Sequence, residues 1–403
     1  MSDALPPRRL PLAGLRVIEM GQLIAGPFAG KSLGEFGAEV IKIEPPGVGD
    51  PLRRWREMDG DTSLWWHVQS RNKKSVTLDL KQPEGQEIIR RLVRDADILI
   101  ENFRPGTLEK WNLGYAELSA LNPGLIMVRI SGFGQTGPYR DRPGFGVIGE
   151  SMGGLRYLTA EPGRPPVRVG VSLGDSLAAL YAVIGALVAL RDRAQNGGRG
   201  QVVDVALYES VFAIMESLLP EYDARGLVRQ PGGGALPGIT PSNSYPCRDG
   251  RHVLIAGNGD SIFKRFMRGI GREDLADDPR LAHNDGRTAH ATLIDNAISA
   301  WTADQPLEEA LAMLDRAEVP GGKIFTVADI AADPHYAARG MIETVTLPDG
   351  GSLRVPGVVP KLSDTPGQVG GAGPSLGQHT DEILAQLGFD EAARADLRSR
   401  HVI

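Results

Sequence analysis

One carboxylate opens the chemical reading of this chain. In the stretch RVGVSLGDSLAALYAVIGALVALR (168–191), Asp175 stands at the head of fifteen uncharged residues, 176–190. An aspartate there can cap a helix, because it accepts hydrogen bonds from free N–H groups and suits the positive end of the dipole. It can also act as a nucleophile through a covalent intermediate. Rival chemistries lack their residues. The histidines at 67, 252, 283, 290, 335, 379 and 401 form no H-E-x-x-H and no close His/Cys pair, which leaves metal-assisted hydrolysis without ligands. GESMG at 149–153 has the G-x-S-x-G spacing but lacks the framing of a nucleophile elbow, since no strand pattern leads directly into it. A carboxylate is the nucleophile that remains, and the capping and catalytic readings of Asp175 both stay open.

Two other stretches suit a large anionic ligand. RNKKSVTLDLKQPEG (71–85) gathers Arg71, Lys73, Lys74 and Lys81 beside one strand, where cations either stay solvated or focus a phosphate. ENFRPG (101–106) ends a strand with Asn102, Phe103 and Arg104, offering a base edge a donor and an acceptor and its face a stacking partner.

The elements that must position these residues alternate. Strand patterns at 15–20, 38–44, 75–80, 97–103, 125–134 and 201–207 alternate with helix patterns at 26–37, 83–96 and after Asp175. That rhythm predicts an α/β fold, a doubly wound parallel sheet whose chemistry collects at the carboxyl ends of its strands. The first strand–helix–strand unit imitates a dinucleotide fold, but QLIAGPFAG lacks G-x-G-x-x-G spacing, which argues against a nicotinamide dehydrogenase. A loop-rich stretch at 222–250 precedes a smaller unit with a strand at 252–259 and three amphipathic helices. GQVGGAGPSLG (367–377) reads as a flexible connection, and a helix at 379–389 follows it.

Composition bounds the partners. The 403 residues include 51 glycines and 29 prolines spread along the chain, the mark of many tight loops in a folded body. A net charge of −6 disfavours nucleic acid and anionic membranes as general partners. A lone cysteine, Cys247, excludes internal disulfides, and the first residues carry no apolar signal region, so a cytoplasmic location is expected. The 176–190 run falls short of a membrane span.

Taken together, the segments AGPFAGKSLGEFGAEVIKIEPPGVGD, RNKKSVTLDLKQPEG, ENFRPG, ISGFGQTGPYRDRPGFG and VGVSLGDS resemble, in order, the class III CoA-transferases, the superfamily of formyl-CoA transferase, carnitine CoA-transferase and α-methylacyl-CoA racemase. The resemblance runs from residue 12 to residue 390. It implies a Rossmann-like large domain (1–224 and 326–403) with a smaller α+β domain (225–325), and an interlocked homodimer. It implies that Asp175 is the nucleophile and that coenzyme A, as the acyl-CoA substrate, meets Ile24, Ala25, Leu78, Asp79, Leu80, Lys81, Asn102, Phe103, Arg104 and Lys110. Gly232, Gly233 and Gly234 match a mobile loop that shields the site, and neither a metal nor a nucleotide cofactor is implied. Pro45 stands where a relative offers CoA an arginine, which shifts phosphate binding onto the 71–81 cations. Phe145 and Gly146 stand where racemase relatives carry a His-Asp pair, so transfer of CoA to a carboxylic acid is favoured over racemisation, with a non-catalytic acyl-CoA-binding dimer as the other alternative. The motifs are most similar to succinyl-CoA-dependent dicarboxylate transferases. Arg140 and Arg142 are candidates for a second substrate carboxylate, against plain surface solvation. Backbone amides at 134–137 or 232–234 are candidates for the oxyanion donors.

Overall fold

The computed structural model describes residues 9–403. Six parallel strands form the central sheet: β1 (Arg16–Glu19), β2 (Glu39–Glu44), β3 (Lys73–Thr77), β4 (Ile98–Glu101), β5 (Ile126–Ser131) and β6 (Val202–Ala206), in the order β3-β2-β1-β4-β5-β6. Alternate residues of each strand feed two cores. Ile18, Ile41, Val76, Leu99 and Met127 face one side, while Val17, Val40, Ile98 and Val128 face the other. Burial on both faces is why these strands read as continuous apolar runs rather than as alternating ones.

Helices cover both faces. α1 (Ala25–Glu35) and α4 (Leu173–Arg193) lie on the Val17 side, and α2 (Pro83–Val93) lies on the Ile18 side. α2 opens on Pro83 and Glu84 and closes on Arg90 and Arg91, a start and stop that its sequence advertises. Ile88, Ile89, Leu92 and Val93 form its buried face.

Two expectations are corrected here. α4 is 21 residues long, beyond the uncharged run, and it is apolar and long enough to cross a membrane. Nor is it buried all round: Ala178, Ala179, Ala182, Ala186 and Ala189 face the sheet, while Leu180, Ile184 and Val188 are exposed, Val188 at 63%. Small residues let it lie close; a Cβ on Gly185 would stand 2.5 Å from Val203 Cγ1. The 367–377 stretch is pinned rather than loose. Gln368 N–H donates to Glu35 O (2.8 Å), Pro374 O accepts from Trp66 Nε1 (2.9 Å), and Gly377 N–H donates to Ser75 Oγ (2.9 Å).

The chain divides into two compact units. Among the described residues, the sheet unit comprises 9–155, 169–215 and 334–403; the second comprises 156–168 and 216–333, so the segment 156–168 leaves the sheet unit and returns to it. The second unit has a three-stranded antiparallel sheet (Gly321–Lys323, His252–Ala256 and Ser242–Pro246) packed by the helices Asp260–Gly269, Ala291–Ala303 and Leu307–Arg316 around Phe263, Phe266 and Ile298.

Candidate active site

From β1 the chain turns to β2 on one side, and from β4 it turns to β5 on the other, yet β1 and β4 are neighbours. Such a reversal opens a crevice beyond the carboxyl ends of the two strands, where ligands of this architecture bind. Gln22 N–H donates to Asn102 Oδ1 (2.7 Å) and Asn102 Nδ2 donates to Gln22 O (2.8 Å), joining the two loops that leave those strands. Leu23 adopts a left-handed φ of +63°, a cost of about 1–2 kcal/mol for a residue with a side chain. Its N–H donates to Asp50 Oδ1 at 3.0 Å, which holds it there.

Asp50 is one corner of a buried ionic quartet. Lys42, fully buried in β2, stands 2.8 Å from Asp50 Oδ2 and 3.2 Å from Glu19 Oε1. Lys73, at the start of β3, stands 2.8 Å from Glu19 Oε2. Two cations thus balance two carboxylates. Burial alone would depress Lys42, but Asp50, Glu19 and Glu44 outweigh it and hold the ammonium above its ordinary range. Burial wins at Lys73, which is drawn down to about 8 despite Glu19. Beside the crevice, Glu101 at the end of β4 accepts from Phe103 N–H (2.7 Å) and from Arg129 Nε (2.7 Å). Burial pushes its carboxyl up to about 7, against the pull of Arg129.

A cavity of about 170 Å³ opens at this crevice. Of the residues singled out in the sequence, Ile24, Ala25, Asn102, Phe103, Arg104 and Asp175 line it together, and Arg142 joins them. Asp175 is the third residue of α4, not its cap. Ser172 holds the cap position without a side-chain bond, and Glu150 Oε1 accepts from Gly174 N–H at 3.4 Å. The Asp175 carboxylate, half-buried, lies directly against Gly146: a Cβ added to Gly146 would stand 2.0 Å from Oδ2. Only glycine admits the carboxylate in this position. Gly144 is also closely seated, since a Cβ on Gly132 would stand 2.9 Å from its Cα. These close glycine contacts and the ionic quartet escape sequence reading; the one local sign of the quartet is a lysine between isoleucines in AEVIKIE.

The remaining expected residues lie elsewhere. Leu78 is in the core, Leu80 packs against that core, and Asp79 Oδ1 accepts from the N–H of exposed Lys81 (3.0 Å). Lys110 ends the short helix Thr107–Lys110 and is exposed. None of these five lines the Asp175 cavity. Three of the four clustered cations are not open to a phosphate, exposed Lys81 being the exception. Arg71 is buried on Glu35 (Nε 2.8 Å from Oε1), Lys73 is buried on Glu19, and Lys74 bridges Glu39 (3.0 Å) and Glu382 (2.7 Å). Their charges are consumed in holding β2, β3 and α1 together.

Gly232, Gly233 and Gly234 belong to the second unit, where Gly233 (φ +62°) donates its N–H to Ala160 O at 3.1 Å. The amides of Gly134 and Gln135 are likewise engaged, by Ser131 Oγ (3.0 Å) and Asp204 Oδ2 (2.9 Å). These three amides therefore do not offer themselves to an oxyanion as the chain stands.

Comparison with known proteins gives a consistent result. The model of CoA-transferase family III matches residues 12–380. The chain is 52% identical over 405 residues to the succinyl-CoA–D-citramalate CoA-transferase of Chloroflexus aurantiacus, covering 100% of both chains. It is 43% identical over 401 residues to the succinyl-CoA–L-malate CoA-transferase alpha subunit of Chloroflexus aurantiacus, covering 98% of this chain and 93% of that one. Its fold matches the crystal structure of a CaiB/BaiF family protein from Brucella suis at a TM-score of 0.82 and 37% identity, across 94% of this chain and 100% of that one. With the family model matching from residue 12 to residue 380, the chain belongs to CoA-transferase family III and is a CoA-transferase.

Proposed function

We propose that this enzyme moves CoA from succinyl-CoA to a dicarboxylic acid through covalent intermediates on Asp175. The observation that carries the reading is the single cavity that holds Asp175 together with Ile24, Ala25, Asn102, Phe103 and Arg104. Similarity to transferases named for succinyl-CoA, at 52% and 43% identity, supports the donor and the acceptor class.

In this scheme an Asp175 oxygen attacks the thioester carbonyl, forming an acyl-aspartyl anhydride and releasing CoA thiolate. The thiolate then attacks the aspartyl carbonyl, giving an aspartyl-CoA thioester and free succinate. The acceptor carboxylate reverses both steps and leaves as a new CoA ester. Carboxylate attack is uphill, because the thiolate is the more basic leaving group, with reference pKa values of about 8.5 and 3.9. The energy-rich bond is exchanged and not hydrolysed, so excluding water matters more than activating it. Asp175 sits in the first turn of α4, where the helix dipole favours the ionised form.

CoA itself would lie along the carboxyl edge of the sheet, from Asn102–Phe103–Arg104 at β4 toward Leu78–Lys81 beyond β3, with Lys110 near its phosphates. Phe103 is held edge-on to Trp111 at 5.4 Å between ring centroids, a rigid aromatic surface for an adenine. The exposed stripe Leu180–Ile184–Val188 on α4 supports a dimer, since an apolar stripe of this kind is usually covered. One buried cysteine suits a reducing cytoplasm. The racemase alternative needs a second acid/base beside Asp175, and Phe145 and Gly146 occupy that position; no histidine lines the cavity.

Gly146→Ala probes the seat of the nucleophile. Its methyl group would overlap Oδ2 and swing the carboxylate away, and misplacement by about 1 Å can cost about 10²-fold. Steady-state assays should show kcat falling by about that factor with the CoA Kd nearly unchanged. The function itself is tested by incubating the enzyme with succinyl-CoA and a panel of C4 and C5 dicarboxylic acids, reading new CoA esters by mass spectrometry. Formation of a second CoA ester together with free succinate is expected. Absence of any exchange with every acid would overturn the reading.

A further inference from the structure

Resting on that transferase reading, we infer that Arg142 selects dicarboxylic substrates, its guanidinium receiving the carboxylate remote from the reacting carbon. Arg142 and Asp175 line one cavity, and residues 142–146 connect them. This stretch carries a cation at one end and the side-chain-free seat of the nucleophile at the other. Four residues span at most about 14 Å.

Arg142 is built into place. Its N–H donates to Tyr139 O at 2.9 Å, and its guanidinium carbon stacks 3.7 Å from the Tyr139 ring centroid. Phe133 meets that ring edge-on at 6.0 Å, and the close seating of Gly144 on Gly132 fixes the backbone two residues on. Stacking occupies the face of a guanidinium and leaves its N–H edges open, the geometry that takes a carboxylate in a bidentate way. Among the described residues, no carboxylate is paired with Arg142. Arg140 differs: it pairs with Asp141 at 3.3 Å and does not line the cavity.

The chemistry requires such a group. Asp175 must be ionised to attack, so a succinyl group or a dicarboxylic acceptor brings a second negative charge into the same small space. Without a facing cation the site would repel dicarboxylic ligands and prefer neutral acyl chains. Arg104, the other arginine in the cavity, follows Asn102–Phe103 on the stretch assigned to CoA, which leaves Arg142 for the acid.

The experiment compares succinyl-CoA with butyryl-CoA, a donor of equal chain length that lacks the remote carboxylate, in wild type, Arg142→Gln, Arg142→Lys and Tyr139→Leu. The readout is the ratio of the two kcat/KM values. Arg142→Gln should shrink the wild-type preference for succinyl-CoA by about 10–100-fold, the loss expected for one charge-assisted pair. The change should appear mainly in the KM for succinyl-CoA. Arg142→Lys should fall between, and Tyr139→Leu, which keeps the cation but removes its shelf, should shrink the ratio about 3–10-fold. A ratio unchanged in Arg142→Gln, or equal losses with both donors, would overturn the assignment while transfer itself stands. A wild-type enzyme that exchanges CoA with no acid would instead remove the reading on which the assignment rests.

Discussion

Asp175→Ala is expected to lose about 10⁴–10⁶-fold in kcat while still binding CoA within about threefold of wild type. The scale is that of removing a nucleophile that acts in every covalent step, not that of weakening a contact. Binding should survive because the loops that line the crevice are held by other groups: the Gln22–Asn102 pair and the Asp50 grip on Leu23. Folding should survive because the side chain is half-buried and occupies a helical position that alanine favours. Its dipole interaction is worth about 0.3–1 kcal/mol, so the melting temperature should move by no more than about 4 °C. Asp175→Asn keeps the shape and loses the charge, and it should be equally inactive. Calorimetry with CoA and single-turnover assays check both halves. A variant that turns over within tenfold of wild type would mean that another group carries the acyl chain.

Lys42→Met should be the most destabilising single change at the site. The ammonium is fully buried, donates to Gly21 O and contacts Glu19 and Asp50. Removing it leaves two buried carboxylates with a single lysine between them. Breaking a buried ion pair from one side costs about 3–5 kcal/mol. For a unit of this size that is a drop of roughly 10 °C in melting temperature. Function should suffer too, since an Asp50 that must protonate or move no longer holds Leu23 in its left-handed conformation, and Leu23 and Ile24 line the cavity. Adding Asp50→Asn should recover part of the lost stability, because Glu19 and Lys73 then remain as a balanced pair. Thermal melts and CoA titrations of the single and double variants measure this. An unshifted melt for Lys42→Met would show that the quartet is not what holds these loops.

Much of the sheet was legible in the chain because its rules are local. Apolar runs bounded by helical patterns gave all six strands of the sheet within a few residues, and Pro83 with Glu84 marked the start of α2. β3 begins at Lys73, ahead of the expected 75, because two charged residues disguise a strand start; their charges are cancelled by Glu19, Glu39 and Glu382, far away in sequence. The same non-locality defeats the phosphate reading of Arg71, Lys73 and Lys74: sequence shows the charge but not the carboxylate that faces it. The apolar run after Asp175 carries no mark of which side is covered: identical apolarity serves an alanine face against the sheet and a Leu/Ile/Val face left exposed. Gly146 is the plainest omission. A missing side chain leaves no mark until the carboxylate that fills its space is seen.

Hydroxylamine offered during turnover tests the covalent role of Asp175 most directly, because it cleaves an aspartyl anhydride or thioester and leaves a stable hydroxamate behind. Digestion and mass spectrometry of enzyme treated with succinyl-CoA and hydroxylamine should find the hydroxamate on the peptide containing Asp175, and none without succinyl-CoA or in Asp175→Asn. An enzyme that turns over under the same conditions with that peptide unmodified would contradict the account.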